Sequence, residues 1–261
     1  MTISLPTPPE SRARLWTEIA IVLALSLGAS AVYSILRIIV RLTDETPLGS
    51  QGAALNAATN PREWVDFANQ FLGIAFGLAP VALVLYLLWR PGRSGFARIG
   101  FDYRGPRVLR TDIGRGFLLL AVIGIPGIAF YALGRWLGIT VNVVPTPADQ
   151  YWWTIPILLL AAARAALTEE IIVVGYLFER LRALGWSAWT IILSAAVLRG
   201  SYHLYQGIGP FFGNIVMGVV FGWCYLRWGR VAPLVIAHFV IDALSFVGYP
   251  LAAAWWPSLF A

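Results

Sequence analysis

Seven ionisable side chains interrupt otherwise apolar stretches of this 261-residue chain: Arg164, Glu169, Glu170, Arg199, His203, His238 and Asp242. An ionisable group in hydrocarbon costs a few kcal/mol at least, so its presence there is a functional hypothesis by default. Both histidines of the protein are in the set. His238 and Asp242 are four residues apart and share one helical face, as do Arg199 and His203. On the face of Glu169 lie Ala162, Ala165, Ala166 and Val173, small enough for another helix to approach closely. Glu170 points about 100° away, toward a different helix. Two histidines and a carboxylate can hold a divalent metal with one position left for water. His203, His238 and Asp242 are the candidate ligands, and zinc is the favoured ion. A glutamate beside that water serves as general base. Without a metal, a buried glutamate can activate the water itself. Both schemes hydrolyse a peptide bond at the membrane. The H-E-x-x-H motif of soluble zinc proteases is absent, so a metal site has to be assembled across helices.

Each feature also has a plainer reading. Adjacent acids can be a solvated pair at a helix end, and membrane histidines can simply hydrogen-bond between helices. Arg164 is either a structural counter-ion or an anchor for a substrate carboxylate. Asn214 reads as helix packing and Cys224 as a packed small residue.

The elements that position these groups are membrane helices. The chain is 59% hydrophobic and only 12% charged, against about 25% charged in a soluble domain. Its apolar runs are long enough to cross a hydrocarbon core roughly 30 Å thick. Helices are predicted at about 15–40, 64–89, 114–137, 151–181, 186–205, 208–228 and 231–248. The fold class expected is therefore an all-α, polytopic membrane bundle of seven to eight transmembrane helices, forming a single domain over residues 1–261. A cleaved signal peptide is the alternative for the first segment, but the apolar run continues past the candidate cleavage site at Ala29-Ser30-Ala31 to Ile39, which favours a retained helix. The apolar tail 249–261, with Trp255 and Trp256, is too short to span and is expected at an interface.

All nineteen basic residues are arginine, and seven of them lie in residues 90–115. Such a cluster between two apolar segments marks a cytoplasmic loop and a contact with anionic headgroups, and does not indicate nucleic-acid binding. It puts the N-terminus in the cytoplasm, although Arg37, Arg41, Arg62 and Arg135 fall near the other side and count against it. The arginine-only basic set points to a GC-rich genome, hence a bacterial plasma membrane. The partners implied are membrane lipid and a membrane-associated peptide or protein substrate; oligomeric state is left open.

Three segments resemble the motifs of the CPBP membrane family, which comprises the CaaX prenyl-proteases and the bacteriocin-processing enzymes also called Abi proteins. Its Glu-Glu-x-x-x-Arg, Phe-x-x-x-His and His-x-x-x-Asn/Asp patterns correspond to Glu169-Glu170 through Val174, Arg199 through His203, and His238 through Asp242. The resemblance covers roughly residues 160–246. It implies an intramembrane endopeptidase with Glu169 as the base that activates water, and Glu170, His203, His238 and Asp242 completing the site. The motif arginine is replaced by Val174 and the motif phenylalanine by Arg199. A buried glutamate pair needs a cation or a proton nearby, so Arg199 is expected to reach Glu170 or Glu169 from the neighbouring helix. Two alternatives stand beside this reading: a catalytically silent scaffold or regulator of the same family, and a proton-coupled transporter. The latter calls for inverted repeats, and the two halves of the sequence have no such symmetry. Depth poses a separate question. At about 1.5 Å per residue, Glu170 lies about 15 Å from Arg180 and His238 about 12 Å from Arg230, whereas His203 lies about 25 Å from Trp186. The fifth helix therefore has to start low, tilt, or break at Gly200.

Overall fold

A computed structural model of the protein describes residues 11–144, 146–147 and 150–251. It is 77% helical, and its only sheet among the described residues pairs β1 (Gly52–Ala54) with β2 (Asn142–Val144) in parallel. The tail beyond Leu251, expected at an interface, lies outside the described residues.

Helices form where the apolar runs lie, but several are interrupted. The first segment, expected as one helix, divides into α1 (Arg12–Ala24) and α2 (Leu27–Leu42), bent by 54°. Gly28 permits the bend, since a Cβ there would come within 2.7 Å of the Leu23 carbonyl oxygen. The second segment is α3 (Glu63–Gly77) and α4 (Ala79–Leu88), with Pro80 in the first turn of α4. A short α5 (Gly95–Ile99) leads to α6 (Pro106–Leu119), a π-helical stretch Leu120–Gly124, and α7 (Ile125–Trp136). The fourth segment is α8 (Thr154–Glu169), a π-helix Glu170–Tyr176, and α9 (Leu177–Ala183). Then follow α10 (Ala188–His203), α11 (Ile208–Trp228) and α12 (Ala232–Ala243).

By length and composition, four helices among the described residues can cross a membrane: Glu63–Leu88, Pro106–Trp136, Ile208–Trp228 and Ala232–Leu251, or five with the bent first pair. The expected seven to eight spans are thus met in part. The remaining two segments depart from the pattern for a physical reason: α10 has only 16 residues, and α8 with its continuation carries Arg164, Glu169 and Glu170. The continuation of α8 is buried inside the bundle from Thr168 to Phe178. A helix enclosed by other helices does not face lipid, so charge on it can be matched by protein groups. The outer wall is different. In the spans Glu63–Leu88 and Pro106–Trp136 only 17% and 11% of the most apolar window is buried, and Phe76, Phe117 and Ile128 are exposed.

Arginines fasten both ends of the bundle. At one end Arg180 of α9 donates to Glu18 of α1 at 2.6 Å and to the Leu87 carbonyl of α4 at 2.8 Å. Arg98 pairs with Glu179 at 3.0 Å. Arg230, in the turn between α11 and α12, donates to Asp112 of α6 at 2.9 Å and to Asp102 at 3.1 Å. The Val231 N–H donates to the Ile99 carbonyl, so the start of α12 is seated on the α5–α6 loop. At the opposite end Arg135 donates to the carbonyls of Gly49 and Thr140 at 2.6 and 2.8 Å, and Arg41 donates to Gln51 and to the Gly52 carbonyl. Two of the four arginines that weighed against the charge-based orientation are therefore tied up as loop fasteners.

Burial opposes ionisation of Asp102, but hydrogen bonds from Arg104, from its own backbone and from Arg230 outweigh it and hold the carboxyl below its ordinary value. The stabilisation this gives is fully present above the unfolded carboxylate range, about pH 4, and is lost as pH falls through the lower folded value. Acidification below about pH 4 should therefore lower the thermal unfolding midpoint of the parent in detergent. The drop should be smaller in Asp102→Asn, and equal slopes in the two proteins would show that the Asp102–Arg230 contact does not stabilise the fold.

Candidate active site

The junction between α8 and its π-helical continuation carries the two glutamates. Glu169 is the last residue of α8 and Glu170 the first of the π-helix, all seven residues of which are buried. The wider i→i+5 turn is rare and occurs mostly at functional positions. Here both carboxylates face the same two neighbours, α10 and α12.

Opposite them, α10 and α11 pack closely because glycines line the contact. A Cβ on Gly200 would come within 2.7 Å of the Phe211 carbonyl oxygen, and one on Gly218 within 2.8 Å of the Ala196 Cα. Gly222 would similarly meet the Phe178 ring at 2.9 Å. Small residues of this kind let helices approach closely in a membrane. Gly200 is thus a packing residue, not the break suggested by the depth count, and α10 is continuous from Ala188 to His203. Ser187 caps its start by accepting from the Thr190 N–H. At its far end the Tyr205 N–H donates to Ser34 of α2 at 2.7 Å, which fixes His203 at the helix terminus.

The resulting cluster is closely connected. The Arg199 guanidinium lies against Glu170 in a buried ion pair, and its NH2 is 3.7 Å from Glu169 Oε2. Its carbon lies 5.4 Å from the centre of the Phe221 ring, within cation–π range. This is the cation that Val174 does not provide. Glu170 Oε1 also takes His238 Nδ1 at 2.6 Å. With Nδ1–H donating to the carboxylate, the other ring nitrogen is left facing the remaining acids. His238 Nε2 is 3.5 Å from Asp242 Oδ2 and 4.0 Å from Glu169 Oε2. His203 Nε2 stands 3.7 Å from the same Glu169 oxygen. The Tyr202 hydroxyl donates to that oxygen at 2.8 Å, and the Tyr202 and His203 rings lie 4.9 Å apart.

Glu169, Glu170, Arg199, His203, His238 and Asp242 are therefore brought together. Arg164 stands apart from them, half-buried, its stem against Gly77 of α3, where a Cβ would lie 2.9 Å from its Cδ. Asn214 donates to the Pro210 carbonyl of its own helix, and Cys224 is buried. Among the described residues the ligand atoms that come within 4.8 Å of one another belong to Glu169, Glu170 and His238. The expected set of His203, His238 and Asp242 is not the one that gathers, because Arg199 and His238 draw both glutamates inward. Tyr202 escaped the sequence reading. Its place beside a histidine is visible, but a tyrosine in a membrane helix does not by itself name the partner of its hydroxyl.

Breaking a buried ion pair by removing one partner costs about 3–5 kcal/mol. Arg199→Met should destabilise the protein by that order in thermal or denaturant unfolding. Adding Glu170→Gln to it should recover part of the loss, and a double variant no more stable than the single one would deny that Arg199 serves to balance Glu170.

Residues 151–244, which hold all three motif segments, match the family model of the type II CAAX prenyl endopeptidases, Rce1-like. No curated protein matches the chain, and no solved structure does. Over residues 151–244 the chain is similar to the Rce1-like type II CAAX prenyl endopeptidases, which agrees with the CPBP resemblance carried by its three motif segments.

Proposed function

We propose that the protein is an intramembrane endopeptidase that hydrolyses peptide bonds of membrane-associated proteins or peptides with a water activated by Glu169. The observation that carries this reading is the convergence of four groups on one oxygen. Tyr202, Arg199, His203 and His238 all lie within 4.0 Å of Glu169 Oε2. Only Tyr202 is close enough to hydrogen-bond. Separations of 3.7 and 4.0 Å to the two imidazoles exceed a direct hydrogen bond, so a water bound beside Glu169 Oε2 would lie within reach of either ring nitrogen.

A water held between Glu169 Oε2 and the imidazole nitrogens loses a proton to Glu169 as its oxygen attacks the scissile carbonyl carbon. The carbonyl π electrons move to oxygen, and His203 donates a hydrogen bond to the oxyanion that develops. Both ring nitrogens of His203 are buried with no other partner among the described residues. Collapse of the tetrahedral intermediate breaks the C–N bond, and the proton on Glu169 passes to the departing amine. Glu170 positions the Arg199 guanidinium and the His238 ring, and Asp242 supports the outward face of that ring.

The donor types also fit a divalent ion. A histidine and carboxylates are donors that zinc uses. Glu169, Glu170 and His238, whose ligand atoms lie within 4.8 Å of one another, would hold it, and it would supply Lewis acidity to the water. Arg164, with no ion-pair partner among the described residues, is a cation available to a substrate carboxylate. The arginine-rich end, with residues 90–115, faces the cytoplasm of a bacterial plasma membrane, and α8–α9 and α10 complete the set of membrane-embedded helices.

The test is cleavage of a panel of membrane-anchored peptides by the purified protein in detergent. Glu169→Gln and His203→Ala should each lower kcat/KM by about 10²–10⁴-fold without loss of thermal stability. Inhibition by a chelator, reversed by zinc, would assign the metal-assisted form; indifference to chelator would assign the glutamate alone. A parent that cleaves nothing while it and both variants remain folded would overturn the proposal in favour of a silent scaffold.

A further inference from the structure

The geometry points to Tyr202 as a positioning residue, whose hydroxyl holds Glu169 Oε2 at the distance from the two histidines that a substrate water requires. This inference rests on the reading of Glu169 as the base. Among the described residues the Tyr202 hydroxyl makes the only hydrogen bond to Glu169, at 2.8 Å. The same oxygen faces Arg199, His203 and His238 at 3.7, 3.7 and 4.0 Å. All three of these groups can attract a carboxylate. Direct contact with any of them needs a shift of only about 1 Å, and would close the gap that the water has to enter. The phenol prevents this by giving the oxygen a partner on another side.

The ring is itself well fixed. Tyr202 is buried, next in sequence to His203 at the end of α10, with its ring beside the imidazole. The backbone that carries both residues is anchored by the Tyr205–Ser34 hydrogen bond. One short segment therefore sets both sides of the gap, His203 directly and Glu169 through Tyr202. A rigid, neutral donor suits this task. It holds the carboxylate without adding a charge that would have to be balanced in the bundle, and it takes no proton away from Glu169.

Tyr202→Phe keeps the ring and removes the hydroxyl. It should lower kcat about ten- to a hundredfold, the worth of one hydrogen bond to a charged group, while KM stays within about twofold. A merely structural role would lower the unfolding midpoint and the active fraction without this split. Infrared spectroscopy of protein carrying ¹³C-labelled glutamate gives a readout independent of turnover. The Glu169 carboxylate band, assigned by its loss in Glu169→Gln, should move in Tyr202→Phe. If that variant does not fold, fluorotyrosine incorporated at position 202 keeps the shape, strengthens the donor, and should shift the same band. Unchanged kcat in folded Tyr202→Phe, or an unmoved band, overturns the inference. If the parent cleaves no peptide, the hydrolytic reading falls by itself, and a moved band still supports the hold of Tyr202 on Glu169.

Discussion

A carboxylate inside a membrane bundle has to be matched, and the match between Arg199 and Glu170 is what the rest of the site depends on. Glu170 is fully buried, and so is Arg199. Each would be untenable there alone. Once paired, they fix the spacing of α8 and α10, and the Glu170 oxygen that takes Arg199 also takes His238 from α12. Three helices are thus drawn to one atom. Glycines 200, 218 and 222 let α10, α11 and the Phe178 region come close enough for this without leaving space around the guanidinium. Arginine suits the position because its planar, delocalised cation stays charged and can rest on the Phe221 ring while donating to a carboxylate.

The remaining arginines work at the ends of the bundle. Arg180, Arg98 and Arg230 tie α1, α4, α5, α6 and the start of α12 at one end, and Arg41 and Arg135 hold the short loops at the other. This frees the middle of the bundle from having to hold itself together with polar contacts. Charge there is confined to a few groups that face one another. The division explains why a chain so poor in charge still places so much of it in pairs.

Much of this was readable in the residue order. Hydropathy located the helices, and the Glu-Glu, His203 and His238-x-x-x-Asp242 segments marked residues that the structure brings together, because ionisable groups in apolar runs are conspicuous. The absence of a cation at Val174, set against an arginine one turn before His203, sufficed to infer the Arg199 contact. Other features left no mark. The π-helix Glu170–Tyr176 lies in a stretch that is apolar on every side, so no periodicity reveals a wider turn. The bend between α1 and α2 depends on a single close approach at Gly28, which looks like any membrane glycine. Tyr202 donates to Glu169 only because the end of α10 lies beside α8, a fact of tertiary packing. That Glu169, Glu170 and His238 gather most closely left no mark for a related reason: spacing along a helix says which residues share a face, but not which face Arg199 will pull inward.

The relocation of the cation also constrains how such a chain can have arisen. In the family pattern the arginine follows the glutamates on their own helix; here Val174 occupies that position and the guanidinium arrives from α10. A lineage that lost the first arginine before gaining the second would have passed through a protein with a buried, unmatched carboxylate. The opposite order passes through a protein with one cation too many, which a second nearby acid such as Glu169 can absorb. Gain before loss is therefore the less costly order, and positions 174 and 199 are expected to vary together, although they lie on different helices and are 25 residues apart in the chain.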